Sequence, residues 1–165
     1  MAQLTSKERL QPSLLDRLVA PRSGAGGASA AVTVDSLRES VRRELAALFS
    51  AAALDAVEVG LERCPQVQRS SLNFGMSALS GRTASSINLP QLERQLARAI
   101  RDFEPRLAAA SVRVRSVGET GGKSHNTLRF EIEADLWAQP LSQKLLLRTE
   151  LDLESGQVRV DESRA

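Results

Sequence analysis

Glu104, Pro105 and Arg106 put a carboxylate and a guanidinium two residues apart around a proline ring that fixes one backbone angle. From extended backbone both charges project to the same side, and such a fork can grip a partner through bidentate hydrogen bonds. The plainer alternative is a helix stop with two solvated charges, because isolated surface ion pairs contribute little. The other reactive side chains are scattered. His125 sits between Ser124 and Asn126 in a Gly-rich stretch with no nucleophile or second ligand beside it. Cys64 is the single cysteine, so it closes no internal disulfide, and one His with one Cys cannot build a structural zinc site. Next to Pro65 it reads as a small buried hydrophobe rather than a reactive thiol. Trp137, following Leu136, reads as core or rim packing, with an interface anchor as the sharper alternative.

The elements that must position these residues belong to a chain of 165 residues, a length that suits one core and buries roughly two thirds of the unfolded surface. Hydrophobic residues make up 42% and aromatics only 3%, so Leu, Val and Ala must fill that core. The 22 basic and 20 acidic side chains nearly cancel and are interspersed, which leaves no field to hold a nucleic-acid backbone. The apolar group Leu14, Leu15, Leu18 and Val19 is too short for a signal or a membrane span. A cytoplasmic protein without membrane insertion is expected.

Residues 12–19 place Leu14, Leu15 and Leu18 at helical spacing around Asp16 and Arg17, and Pro21 closes that element. A Gly, Ala and Ser connector follows through Ala31, so residues 1–31 are expected to form a flexible N-terminal arm and 32–165 the folded domain. Leu37, Val41, Leu45 and Leu48 then share one helix face, with Asp35 or Ser36 as the cap and Arg38, Arg42 and Arg43 on a solvated face. Pro65 and Gly75 break the next segment, where Asn73, Phe74 and Gly75 read as a helix stop with Phe74 buried and Gly75 in a left-handed cap. A second helix spans Asn88 to Phe103, and Pro105 stops it. Beyond it, Val112 to Arg115, Leu128 to Leu136, Lys144 to Leu153 and Val158 to Val160 alternate apolar and polar residues, with a hairpin turn at Ser155 and Gly156. Helices followed by one-sided strands predict an α+β, two-layer domain with N-terminal helices on one face of a C-terminal antiparallel β-meander.

Ala99 to Leu107, with Glu104, Pro105 and Arg106, resembles the Glu-Pro-Arg helix-to-strand junction of the lysozyme-like wedge proteins of contractile phage tails. Ser70 to Gly81, carrying Asn73, Phe74 and Gly75, is similar to the Ser-x-Leu-Asn-Phe/Tyr-Gly stretch of the TssE family of type VI secretion baseplates. Leu10 to Leu18 resembles that family's Leu-Leu-Asp-Arg-Leu tag at Leu14, Leu15, Asp16, Arg17 and Leu18, and Val34 to Ser50 resembles its first helix, with Glu44 in place of the usual Asp. The resemblance implies a structural wedge subunit that docks on the TssF and TssG core bundle beside TssK and links the baseplate to the contractile sheath of TssB and TssC. It further implies that the three motifs bind partners, and that an extended sheath segment can add to an edge of the meander. Arg106→Ala is then expected to abolish sheath assembly while leaving the domain folded.

The alternatives are a wedge protein of a phage tail or other contractile particle, and a glycan hydrolase. Hydrolysis needs two carboxylates at a set spacing, one of them protonated. Glu104 has no marked partner acid, and Arg106 beside it favours the charged form. No catalytic residue, cofactor, metal or small-molecule substrate is expected.

Overall fold

The computed structural model describes residues 33–56, 58, 60–77, 79, 81–118, 126–137 and 142–163, together with Leu18. The rest of the expected N-terminal arm, including Leu14, Leu15, Asp16 and Arg17, lies outside the described residues, as does His125. Leu18 is helical and 74% exposed.

Thr33 opens helix α1 (Val34–Ser50), its hydroxyl accepting the Ser36 N–H at 3.2 Å. The cap therefore precedes the expected Asp35 or Ser36, which occupy the first turn, where an acid complements the helix dipole. Leu37, Val41, Leu45 and Leu48 are buried along one face with Phe49. From Ala51 to Ile87 the described chain makes only short turns: 3-10 turns at Leu54–Ala56, Leu61–Arg63, Ser71–Asn73 and Ala84–Ser86, and the single helical turn α2 (Pro65–Gln68). Pro65 breaks the segment as expected, separating the turn Leu61–Arg63 from α2, which it starts because a first-turn residue needs no helical N–H bond. Helix α3 (Leu89–Phe103) is capped by Asn88, whose side chain accepts the Gln91 N–H at 3.1 Å, and it buries Leu92, Leu96, Ala97, Ala99 and Ile100.

Strands β1 (Arg113–Ser116), β2 (Thr127–Leu136), β3 (Gln143–Asp152) and β4 (Val158–Glu162) pair antiparallel in chain order. Leu128, Phe130, Ile132, Ala134 and Leu136 of β2 point into the core with Leu145, Leu147 and Leu151 of β3. The opposite face carries charge in alternating sign: Arg115, Glu131, Arg148 and Asp161 stand opposite one another across all four strands. Cross-strand ion pairs close between Arg129 and Glu150 at 2.8 Å and between Arg148 and Glu131 at 3.3 Å. A face patterned in this way stays in water, so both long helices cover the other one, α1 over β4 and α3 over β1. This is the two-layer α+β domain expected from the residue pattern.

The helices also guard the sheet edges. At β1, Glu93 accepts both the N–H and the hydroxyl of Ser116 at 2.6 Å, and Arg101 donates to the Val112 carbonyl at 2.9 Å. At β4, Arg42 donates to the Val160 carbonyl at 2.8 Å, while Arg38 pairs with Glu162 at 3.0 Å. Arg38 and Arg42, expected on a solvated face, instead tie α1 to the last strand, since long side chains can lay their stems along apolar surface and carry the charged head to a carbonyl. Unpaired edge groups invite a foreign strand, and these contacts withdraw several of them.

Candidate functional site

The Glu-Pro-Arg segment lies where α3 ends, and Glu104 closes that helix by donating its N–H to the Ile100 carbonyl at 2.8 Å. Its carboxylate turns inward, with only 4% of the side chain exposed. One carboxylate oxygen accepts the backbone N–H of Arg106 at 3.1 Å and its Nε at 2.7 Å, and the other accepts Nη2 at 2.5 Å. The fork thus closes on itself in a bidentate pair. Arg106 then continues across to α1, where Nη1 donates to the Ser40 hydroxyl at 3.0 Å and Nη2 to Glu44 at 2.6 Å. Burial pulls the guanidinium toward its neutral form, but the hydrogen bonds and charges of Glu104 and Glu44 outweigh this and hold its pKa above the ordinary value.

The same tripeptide grips the sheet through its backbone. The Arg106 carbonyl accepts the Trp137 N–H at 2.8 Å, Leu107 stands opposite Leu136, and the Ala108 N–H donates to the Asp135 carbonyl at 2.9 Å. The α3 terminus, the flank of α1 and the end of β2 therefore meet at one clamp. The solvated-charge alternative fails for Glu104, which is nearly buried because an acid at this sharp exit from the helix can turn back to meet Arg106. Ser40 and Glu44 were not singled out as partners from the sequence. Their spacing of four on one flank of a helix was the available signal, and Glu44 stood out only as a departure from the usual Asp.

Asn73, Phe74 and Gly75 form a second fixed segment. Gly75 has φ +132°, and a Cβ there would meet the Ala51 carbonyl oxygen at 2.5 Å. Close approach to the chain leaving α1, rather than a helix cap, is what requires glycine. It allows the Met76 N–H to reach the Ala51 carbonyl and the Ala53 N–H to reach Met76, both at 2.9 Å. Asn73 is buried and donates its amide to the Gln68 carbonyl at 2.9 Å. Phe74, expected inside, is 39% exposed and rests edge-on against Phe103 with 5.6 Å between centroids. Leu72 beside it is 72% exposed. Cys64, expected buried, is exposed, because it precedes the surface turn α2, and Trp137 is 63% exposed one residue beyond the last core position of β2, which rules out core packing and leaves the rim or anchor reading.

Among the described residues, no group of three or more His, Cys, Asp or Glu side chains could hold a metal ion. In the same residues no helix is long and apolar enough to cross a membrane. The described chain is a two-layer block with an inward-turned ion pair at the end of α3 and exposed apolar side chains at Leu72 and Phe74. The sequence profile of the family described as baseplate wedge protein gp25 matches residues 35–141, and the chain belongs to that family. Its role is structural, in the baseplate of a contractile particle. Neither a curated protein nor a solved structure matches the chain significantly.

Proposed function

We propose that the chain is the TssE-type wedge subunit of a bacterial type VI secretion baseplate, working in the cytoplasm. It docks on the TssF and TssG bundle beside TssK and links that wedge to the sheath proteins TssB and TssC. What carries this reading is the baseplate wedge family match over residues 35–141. The tag at Leu14, Leu15, Asp16, Arg17 and Leu18 and the stretch at Asn73, Phe74 and Gly75 favour the secretion branch over a phage tail.

In this reading the amphipathic tag lays its leucines into a groove of the helical bundle. Glu104, Pro105 and Arg106 serve the junction with the sheath from behind: the clamp holds α1, α3 and β2 in one geometry, and Arg106, 21% exposed, offers its outer edge. A sheath segment adds at β4, where Val158 and Glu162 flank the carbonyl that Arg42 covers. The test is complementation of a deletion strain carrying a fluorescent TssB. Wild-type chain should restore sheaths, and Leu14→Ser with Leu15→Ser and Leu18→Ser should not, at unchanged melting temperature. Full sheath assembly by the tag variant would remove the arm from the docking scheme, and no sheath with wild type would refute the secretion assignment.

A further inference from the structure

A surface beside α3 combines two features. Leu72 and Phe74 flank the buried Asn73 and project from a turn pinned at both ends, so the backbone that carries their exposed side chains is held in place. Between that turn and α3 lies a depression of about 130 Å³ whose lining includes Met76, Phe103, Gln68, Arg98 and Asp102. It has room for one side chain and is far smaller than a typical small-molecule pocket of roughly 300–1,000 Å³.

The second feature is charge. Residues 63–103 hold Arg63, Arg69, Arg82, Arg94, Arg98 and Arg101 against only Glu93 and Asp102, while the whole chain carries a net +2. Glu62 and Glu104 bound this window and Arg101 turns to the Ala109 and Val112 carbonyls, so Arg69 and Arg98 are the cations placed beside Asp102. Glu93 is turned to Ser116 at the β1 edge. Asp102, with 14% of its side chain exposed, lies between Arg69 at 3.3 Å and Arg98 at 3.5 Å, and those two arginines are 69% and 63% exposed. Exposed pairs of this kind are worth only about 0–1 kcal/mol, so a partner carboxylate can compete for both guanidinium groups.

We infer that this surface is a docking site for an acidic protein segment, one large apolar side chain of which packs on Leu72 and Phe74 while its carboxylates meet Arg69 and Arg98. A single-stranded nucleic acid fits less well, since Phe74 is one ring beside an aliphatic knob and base stacking wants a series of aromatic platforms. The inference rests on the assembly reading above and names the chemistry of one partner.

The test uses the purified full chain and no baseplate protein, so its failure is distinct from failure of that reading. Three labelled peptides are titrated: alternating Glu and Leu, all Glu, and alternating Lys and Leu. The Glu/Leu peptide should bind best. Leu72→Ser with Phe74→Ser should weaken it at least about tenfold, as loss of interface anchors does. Arg69→Glu with Arg98→Glu should abolish it and transfer the preference to the Lys/Leu peptide; because this reversal sets two carboxylates beside Asp102 and lowers the melting temperature, Arg69→Gln with Arg98→Gln, which keeps amide donors for Asp102, should also weaken Glu/Leu binding while the chain stays folded. Equal binding of the all-Glu peptide, indifference to charge reversal, or tighter binding of oligo-dT or phosphatidylglycerol vesicles would overturn the proposal.

Discussion

Arg106→Ala removes the donors that Glu104 and Ser40 face from inside the fold. Both are buried, and the Glu104 side chain is only 4% exposed. Removing one partner of a buried ion pair costs about 3–5 kcal/mol, because an uncompensated charge stays behind. Arg106 is itself 21% exposed and Glu44 36%, so water reaches the outer end of the cluster and the lower limit applies. A loss of about 3 kcal/mol is a large share of a domain stability of roughly 5–15 kcal/mol. With a urea slope of about 2 kcal/mol/M it moves the midpoint down by roughly 1.5 M. The assay is equilibrium urea unfolding of the full chain followed by far-UV circular dichroism. Glu104→Gln combined with Arg106→Met keeps an acceptor for the residue 106 N–H and leaves no charge at the buried end of the cluster, with Glu44 alone charged at the wetter end, so the double variant should lose less than Arg106→Ala alone. Arg106→Ala within about 1 kcal/mol of wild type, or a double variant as unstable as the single one, would refute the clamp as a source of stability. Because Arg106→Ala is expected to lower stability as well, a sheath lost in that variant reports a lost contact only where the domain is shown to remain folded.

Gly75→Ala should destabilise by at least about 2 kcal/mol through its positive φ and its clash with the Ala51 carbonyl, whereas Gly60→Ala, with φ +97° and open space, should cost about 1 kcal/mol in the same unfolding assay. Thr149→Val should raise stability by about 1 kcal/mol, because Thr149 is 1% exposed and its hydroxyl has no partner; a lower melting temperature would contradict this. The hydrogen bonds of Glu93 to the Ser116 hydroxyl and N–H hold its carboxyl below the usual glutamate value. For a lowered folded pKa the contribution is complete above the unfolded value of about 4.3 and is lost as pH falls through the folded value. The Ser116 amide protection factor, measured by hydrogen exchange, should drop over that acid range and stay flat in Glu93→Gln.

The helix faces and the strand alternation were legible because they are periodic and repeat over many residues. The core-facing positions of Leu128 to Leu136 and of Leu145 to Leu151 followed from a period of two. Features set by single contacts were not. The α1 cap passed to Thr33 because one hydroxyl reaches the Ser36 N–H. Arg106 finds Ser40 and Glu44, 66 and 62 residues earlier in the chain, and nothing local announces such a pairing. Hydrophobicity placed Phe74 and Cys64 inside and left Trp137 between core and rim, yet each sits on a turn or beyond the end of an element. Gly75 was read as a helix cap because the approach of Ala51 is visible only in three dimensions.

The most direct test of the baseplate assignment is affinity co-purification of the tagged full chain from cells co-expressing TssF, TssG and TssK. Recovery of TssF and TssG with wild type, lost on Leu14→Ser, Leu15→Ser and Leu18→Ser, is the expected result. Absence of all three proteins from the wild-type eluate, with the chain itself folded, would contradict the assignment to that machine.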